Sequence, residues 1–434
     1  MNKQSFQITL CALLAAMLVM QTSCKKEYSN PNAAPNDQVF NSAQGMTGVA
    51  VGLQRTYTAG RASSLYNRVS MDGLLTNQLI VLNQGNTSEY QLQLGGGSVD
   101  GTNTILAGLW TSSNKIIYDA DNVINGANTL GDKGYASGLI GYASIFKALA
   151  LGDLSMFWEK VPTNIGKNVS FEDRAQGFAR AIASIDNALT VINAAPISSA
   201  FLNNIPAGVD IVNTLHALKA RYSLFAGNYA QALTEANAVD LIKKSTFNFT
   251  TVNLNPIFET ATSTNNVYAP SDLKMGLPAG LQPDAGDKRV PFYIATDTAA
   301  PIYRVKGFGA AATTPWPVYL PGEITLIKAE AYARQATADL TNALAELNKV
   351  VTKTPATDPY GVGADLPPVA GPLTQAQILD VIYKHRSIEL YMSGLRLEDQ
   401  RRFGRPNTER KRNFLPYPFL ERDNNPNTPP DPAF

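Results

Sequence analysis

Cys24 is the first residue whose surroundings imply chemistry. Lys3 lies in a short polar start, an apolar run extends from Ile8 to Met20, and the small pair Thr22-Ser23 leads into Cys24-Lys25-Lys26-Glu27. This is the layout of a secretory signal that ends at a cysteine whose thiol is acylated after cleavage. The apolar run is about 13 residues, short of the ~20 that a spanning helix needs. Gln21 departs from the pattern, since a Leu or Val usually stands three residues before such a cysteine. Residues 1-23 are therefore expected to be a signal peptide. Residues 24-37, polar and rich in Asn and Pro, are expected to be a flexible tether. Residues 38-434 are expected to be a single body.

A second set lies near the C-terminus, where Arg386, Glu389, Arg396, Asp399 and Arg402 alternate in sign at helical and near-helical spacing. Arginine and carboxylate side chains so placed pair with little loss of entropy, and the pairs would tie the final helix to the loop that follows Gly394. The expected role is scaffolding. His385 is placed to pair with Glu389 one turn on, and the run Arg410-Lys411-Arg412 reads as solvated. Only two histidines exist, His216 and His385. Neither has a second His or Cys at metal-ligand spacing. No Gly-x-Ser-x-Gly elbow is present. No catalytic residue, metal site or cofactor is thus assigned, although paired carboxylates of a glycosidase would leave no one-dimensional trace.

A third set suits binding. Glycans offer C–H patches and dense hydroxyls, which aromatic rings together with Asn, Gln, Asp and Arg can meet. Trp316 sits in Thr-Thr-Pro-Trp-Pro, with Tyr303, Arg304 and Phe308 just upstream. Tyr66, Asn67, Asn83, Gln84 and Asn86 occupy an earlier irregular region. Two readings of Trp316 stay open: an indole held outward by a rigid loop, or a buried anchor docking that loop onto the helices. Trp110 and Trp158 fall on or beside apolar helical stretches and are assigned to the core.

The elements that must position these residues are mostly helices. Phe178, Ile182, Ile185, Leu189 and Ile192 recur at intervals of four and three, behind a capping box read at Ser170 and Asp173. Leu215, Leu218, Tyr222 and Phe225 run to Gly227-Asn228, and Tyr229, Ala232, Leu233 and Ala236 open a second helix at once. Gly227 can end the first helix with positive φ, and Ala232 lets the pair approach closely. Glu323 to Arg334 with Leu340 to Val351, and Asn114 to Asn125 with Tyr135 to Leu151, look like further pairs of a tetratricopeptide-like repeat. Loop-rich insertions are expected near residues 60-105 and 246-320, the latter broken by eight prolines from Pro256 to Pro317. Tyr90, Leu92 and Leu94 alternate as a strand would, ahead of a turn at Gly95-Gly96-Gly97.

The stretch from His385 to Arg402 resembles the C-terminal signature of the SusD/RagB family of outer-membrane nutrient-binding lipoproteins, approximately R-x-x-E-L-x-x-E-G-x-R-x-x-D-x-x-R. Arg386, Glu389, Gly394, Arg396, Asp399 and Arg402 match it, while Ser393, Leu397 and Gln400 replace the usual Glu, Trp and Leu. Leu326-Ile327-Lys328-Ala329-Glu330-Ala331 is similar to the family's L-I-x-A-E-A segment, with Tyr319 where Arg is common upstream. The run from Pro418 to Thr428 is similar to its closing P-x-x-E-x-x-x-N-P-N. The resemblance implies a mainly α, tetratricopeptide-like scaffold with irregular insertions and minor β content. It also implies a lipoprotein, anchored through Cys24 and displayed on the outer membrane, that binds an oligosaccharide or similar nutrient without cofactor or chemistry of its own. Its partner would be a SusC-like TonB-dependent transporter.

Composition is consistent with a large packed body. The chain has 434 residues, 44% hydrophobic and 16% charged, with a formal net charge of +1. Near-neutral charge argues against a nucleic-acid partner. Cys11, the other cysteine, lies in the signal, so the body has no disulfide. Two other functions compete with nutrient binding: a surface glycoside hydrolase, and an assembly adaptor that uses the helical repeats without a ligand.

Overall fold

Apolar residues three and four apart build most of the chain into helices, and side-chain caps set where they begin. The computed structural model describes residues 39–263 and 266–433, so Cys24, the signal and the tether lie outside the described residues. Ser42 accepts from the Gly45 amide to open α1 (Ala43–Thr58), and Ser63 accepts from Tyr66 to open α2 (Ser64–Leu75). β1 (Leu79–Val81) and α3 (Thr87–Leu94) follow. α4 (Thr104–Ala127), capped by Asn103, and α5 (Lys133–Phe157), capped by Asp132, form a long packed pair. α5 is long and apolar enough to cross a membrane, yet 94% of its most apolar window is buried by its neighbours, which makes it the central core helix.

β2 (Lys160–Pro162) and β3 (Phe171–Asp173) make an antiparallel hairpin that leads into α6 (Arg174–Ala194), packed along α5. A short α7 (Ser199–Leu202) precedes α8 (Ile211–Phe225) and α9 (Tyr229–Ala238). The turn between α8 and α9 has the Schellman arrangement: the Asn228 amide donates to Ser223 O (2.8 Å), the Gly227 amide to Leu224 O (3.1 Å), and Gly227 has φ +77°. The insertion then runs as short antiparallel pairings. β4 (Thr246–Phe247) pairs with β8 (Trp316–Pro317), β5 (Tyr268–Pro270) with β1, and β6 (Ile294–Thr296), after α10 (Arg289–Tyr293), with β7 (Tyr303–Val305). α11 (Pro321–Arg334), α12 (Leu340–Val351) and α13 (Gln375–Glu389) close a second apolar cluster around Leu326, Leu347, Val350, Ile378 and Ile382. Ala329, Ala333 and Ala343 are fully buried where the α11–α12 pair needs small residues. α14 (Arg396–Arg402) and α15 (Phe419–Asn424) end the chain.

The predicted helix pairs are present, and the Thr374–Gln377 capping box opens α13. Several expectations need correction. Residues 60-105 are not irregular: they hold α2, β1, α3 and the start of α4. Tyr90, Leu92 and Leu94 belong to a helix, because burial follows the three-residue step from Glu89 to Leu92 while Leu94 faces solvent. Ser170 caps nothing; its carbonyl accepts from Thr163 in the hairpin, and Asp173 alone is the N-cap residue of α6. The segment after Gly394 is the helix α14 rather than a loop. Met392 (φ +60°) and Gly394 (φ +74°) make the bend before it.

Candidate functional site

Pairing of β1 with β5 sets Leu79 opposite Pro270 and Val81 opposite Tyr268. This register joins the two insertions, and the residues just beyond it form a polar rim. Asn83 Nδ2 donates to Asn266 Oδ1 (3.2 Å), and Asn86 Nδ2 donates to the carbonyls of Asn83 (3.1 Å) and Asn266 (3.3 Å). Beside the rim is a cavity of about 490 Å³ walled by the N-terminal ends of α2, α3 and α4, with Arg61, Asn67, Asn86, Glu89, Thr104 and Gly108 in its lining.

Glu89 organises the pocket. Its Oε1 accepts from Arg61 Nε (3.1 Å) and Nη2 (2.6 Å) and from the buried Tyr66 hydroxyl (2.8 Å). Arg61 Nη2 also donates to Asn86 Oδ1 (3.1 Å). Glu89 Oε2 makes no hydrogen bond within the described residues, and neither does Asn67 Oδ1, whose Nδ2 donates to Ala62 O (3.3 Å). Gly108 leaves room for that carboxamide, since a Cβ there would sit 2.7 Å from Asn67 Nδ2. The result is a net-neutral recess whose one carboxylate already carries an arginine, with acceptors left over for hydroxyl groups.

Of the residues singled out in the sequence, Tyr66, Asn67 and Asn86 are brought together here. Tyr66 and Asn67 are buried helix residues and not loop residues: the tyrosine acts through Glu89, and the asparagine is reached only from the cavity. Arg61, Glu89 and Asn266 carry no one-dimensional signal: Arg61 meets Glu89 across 28 residues, and Asn266 reaches Asn86 only through a strand pairing that spans nearly two hundred. Trp316, Phe308, Tyr303 and Arg304 lie elsewhere. Trp316 is only 5% exposed, packs edge-on to Phe308 (6.2 Å), and lines with Tyr293 and Tyr391 a void of about 10 Å³, too small for any sugar. Of the two open readings, the buried loop anchor is the one observed. The β4–β8 pairing explains it, placing Phe247 opposite Trp316. Arg304, on β7 with Tyr303, pairs with Asp297 (2.8 Å).

The signature residues form a buried ionic core. Arg386 binds both oxygens of Asp399 (3.0 and 3.1 Å), and Arg402 joins Asp399 (2.6 Å) to Glu330 (2.6 and 3.2 Å). Burial alone would raise the Asp399 pKa; the two guanidiniums hold it below the usual carboxylate range. Arg396 donates to the carbonyls of Met275 (2.6 Å) and Ser387 (2.7 Å). The expected His385–Glu389 pair is replaced by contacts to Arg289: His385 Nδ1 meets its Nη2 (2.9 Å) and Glu389 its Nη1 (3.2 Å), with Lys353 also on Glu389 (2.7 Å). Burial and then the Arg289 charge push the His385 pKa well down, so the ring is neutral and accepts. A Cβ on Gly394 would come 2.7 Å from Arg68 Cγ, so the bend itself needs a glycine. Arg410-Lys411-Arg412 is not a solvated run. Lys411 donates to Gln93 O (2.7 Å) and Arg412 to Gly96 O (2.5 Å), latching the segment onto the triple-glycine turn.

No family model matches the chain, and no curated protein matches its sequence. Solved structures do match. A SusD superfamily protein from Bacteroides thetaiotaomicron is similar at 15% identity over 92% of this chain and 100% of that one, with a TM-score of 0.68. A SusD-like carbohydrate binding protein from Bacteroides fragilis matches at 15% identity over 85% and 87%, TM-score 0.66. A laminarin binding SusD-like protein matches at 15% over 90% and 99%, TM-score 0.66. This chain has the fold of these solved structures.

Proposed function

We propose, from a SusD-superfamily fold with a neutral, acceptor-rich recess at its surface, that this chain is a divergent SusD-like protein that binds an oligosaccharide between Arg61, Asn67, Asn86 and Glu89. The observation that carries the reading is the incomplete coordination of that pocket. Among the described residues, Glu89 Oε2 and Asn67 Oδ1 lack partners where a hydroxyl can reach them. Sugar binding by similar folds supports it. A single carboxylate in the lining favours binding over hydrolysis, which uses two facing carboxyl groups. In the same proposal, Cys24 is the acylated anchor to the outer membrane, and the loaded protein hands its ligand to a SusC-like TonB-dependent transporter.

Titration calorimetry of the mature chain against maltohexaose, laminarihexaose, xylohexaose and mannohexaose tests the pocket. Binding of at least one is expected, with Glu89→Gln and Asn86→Ala each weakening it. Undiminished affinity in both variants, or no binding by any sugar, overturns the reading. The anchor is tested separately: Cys24→Ala should move the protein out of the membrane fraction, and its retention there would remove that part.

A further inference from the structure

α4 serves a second concave surface on another of its faces. Thr104, Ile105 and Gly108 face the pocket described above; Trp110, Asn114 and Asp121 lie roughly 140° around the helix at about 100° per residue. Two cavities there, of about 430 and 250 Å³, share Asn114, Pro162, Asn164 and Ile165 and so form one groove between α4, α5, α6 and the β2–β3 hairpin. Both of its cations are already paired. Lys147 pairs with Asp121 (2.5 Å). Arg180 donates to the carbonyls of Thr163 (2.7 Å) and Pro162 (2.6 Å) and meets Glu172 (2.9 Å). Glu421 accepts from Trp110 Nε1 (3.2 Å) and Asn425 (2.9 Å). An anionic ligand would have to break one of the two ion pairs, since Lys147 and Arg180 are both engaged. By contrast, the carboxamides of Asn164 and Asn187 make no hydrogen bond among the described residues, and Asn114 uses only its Nδ2, on Trp110 O (2.9 Å). Ile165 and Leu420 stand exposed at the apolar rim.

We infer that this groove is a second binding site, for a neutral oligosaccharide: unengaged carboxamides meet hydroxyls, aliphatic walls meet C–H faces, and the two paired cations leave an anionic ligand no free counter-charge. It shares with the proposed function only the class of ligand, and its evidence is separate from that of the first pocket. Hydrogen exchange of the mature chain with the same four hexasaccharides at millimolar concentration, and with an oligogalacturonate as an anionic control, reads both sites at once. At least one neutral sugar should protect residues 163–169 of the hairpin, and the exposed double substitution Asn164→Ala, Asn187→Ala should weaken that protection about tenfold in apparent affinity while residues 83–89 stay protected. Protection confined to 83–89 overturns the second site alone. Protection of the hairpin that the double substitution leaves intact, or that the oligogalacturonate produces equally, overturns the assignment. No protection anywhere removes both sites.

Discussion

Two arginine–carboxylate clusters in this molecule use the same chemistry to opposite ends. At the rim of the first pocket, Arg61 has a side chain 47% exposed and grips Glu89, which keeps one oxygen without a partner among the described residues. In the C-terminal core, Arg386, Asp399, Arg402 and Glu330 have side chains no more than 8% exposed, and both oxygens of Asp399 and of Glu330 are occupied. Arg386 Nη1 and Arg402 Nε keep no hydrogen bond among the described residues, but they are buried out of a ligand's reach, so this network fixes helices relative to one another and offers no foothold. An open one at the surface is held in shape by its arginine and can still exchange water for a hydroxyl. Coordination left over where a ligand can reach it distinguishes a site from a scaffold better than residue type does.

The largest effect is expected from Arg386→Ala. It leaves Asp399 buried with one cation in place of two, and removal of one partner of a buried pair costs about 3–5 kcal/mol. A melting experiment should show that loss, or failure to fold, and any folded fraction should keep its sugar affinity. A stable variant with weakened binding would reverse the roles of the two clusters.

Trp316→Ala comes next. Truncating a buried tryptophan costs about 3 kcal/mol or more, and the void it leaves cannot collapse easily among Tyr293, Phe308 and Tyr391. Thermal stability should fall while affinity at the Arg61–Glu89 pocket changes little. Loss of affinity without loss of stability would restore Trp316 as a contact residue.

Much of the scaffold was legible because it is written in local terms. Gly227, the Thr374–Gln377 box and the alanines of α11 and α12 each state a short-range requirement that the fold then meets. α3 was misread because Tyr90, Leu92 and Leu94 alternate over too few residues to separate a strand from a helix. The site was legible only in part. Asn86 and Asn67 have suitable chemistry, but which polar groups end up unpartnered depends on contacts such as Asn86 with Asn266, far apart in sequence. For the same reason the partner of Arg402 was recovered only in space, where Glu330 of the L-I-x-A-E-A segment reaches it.

A third ionic group lies between the two extremes. Glu235 accepts from His216 (2.7 Å) and pairs with Lys219 (2.5 Å), joining α8 to α9. Burial alone would raise its pKa, yet the hydrogen bonds from His216 and Lys219 with the Lys219 charge pull it down to about 2. A carboxylate depressed in the folded state contributes stability that is present above its ordinary range near 4.5 and is lost as pH falls toward 2. With partial exposure discounted, the contribution is about 1–2 kcal/mol. Glu235→Gln should therefore lower the melting temperature at pH 7 and converge with the wild type near pH 2. A constant difference across that window would show that packing, not charge, holds the pair.

The smallest effect on stability is expected from Arg61→Ala. Its guanidinium is half in solvent, so the pair with Glu89 contributes only about 0.2–1 kcal/mol to folding. Melting should barely change. Glu89, however, would lose two of the three donors on its Oε1 and keep only the Tyr66 hydroxyl, while Asn86 would lose the contact that turns its Oδ1 inward. A pocket whose acceptors are no longer held in place should bind its sugar more weakly, by about tenfold where one charge-assisted contact sets the geometry. Arg386→Ala and Arg61→Ala would then be mirror images: one lowers stability and spares affinity, and the other does the reverse. If Arg61→Ala lowers stability as much as Arg386→Ala and leaves affinity unchanged, the rim cluster is scaffold as well, and the ligand must be sought at another surface.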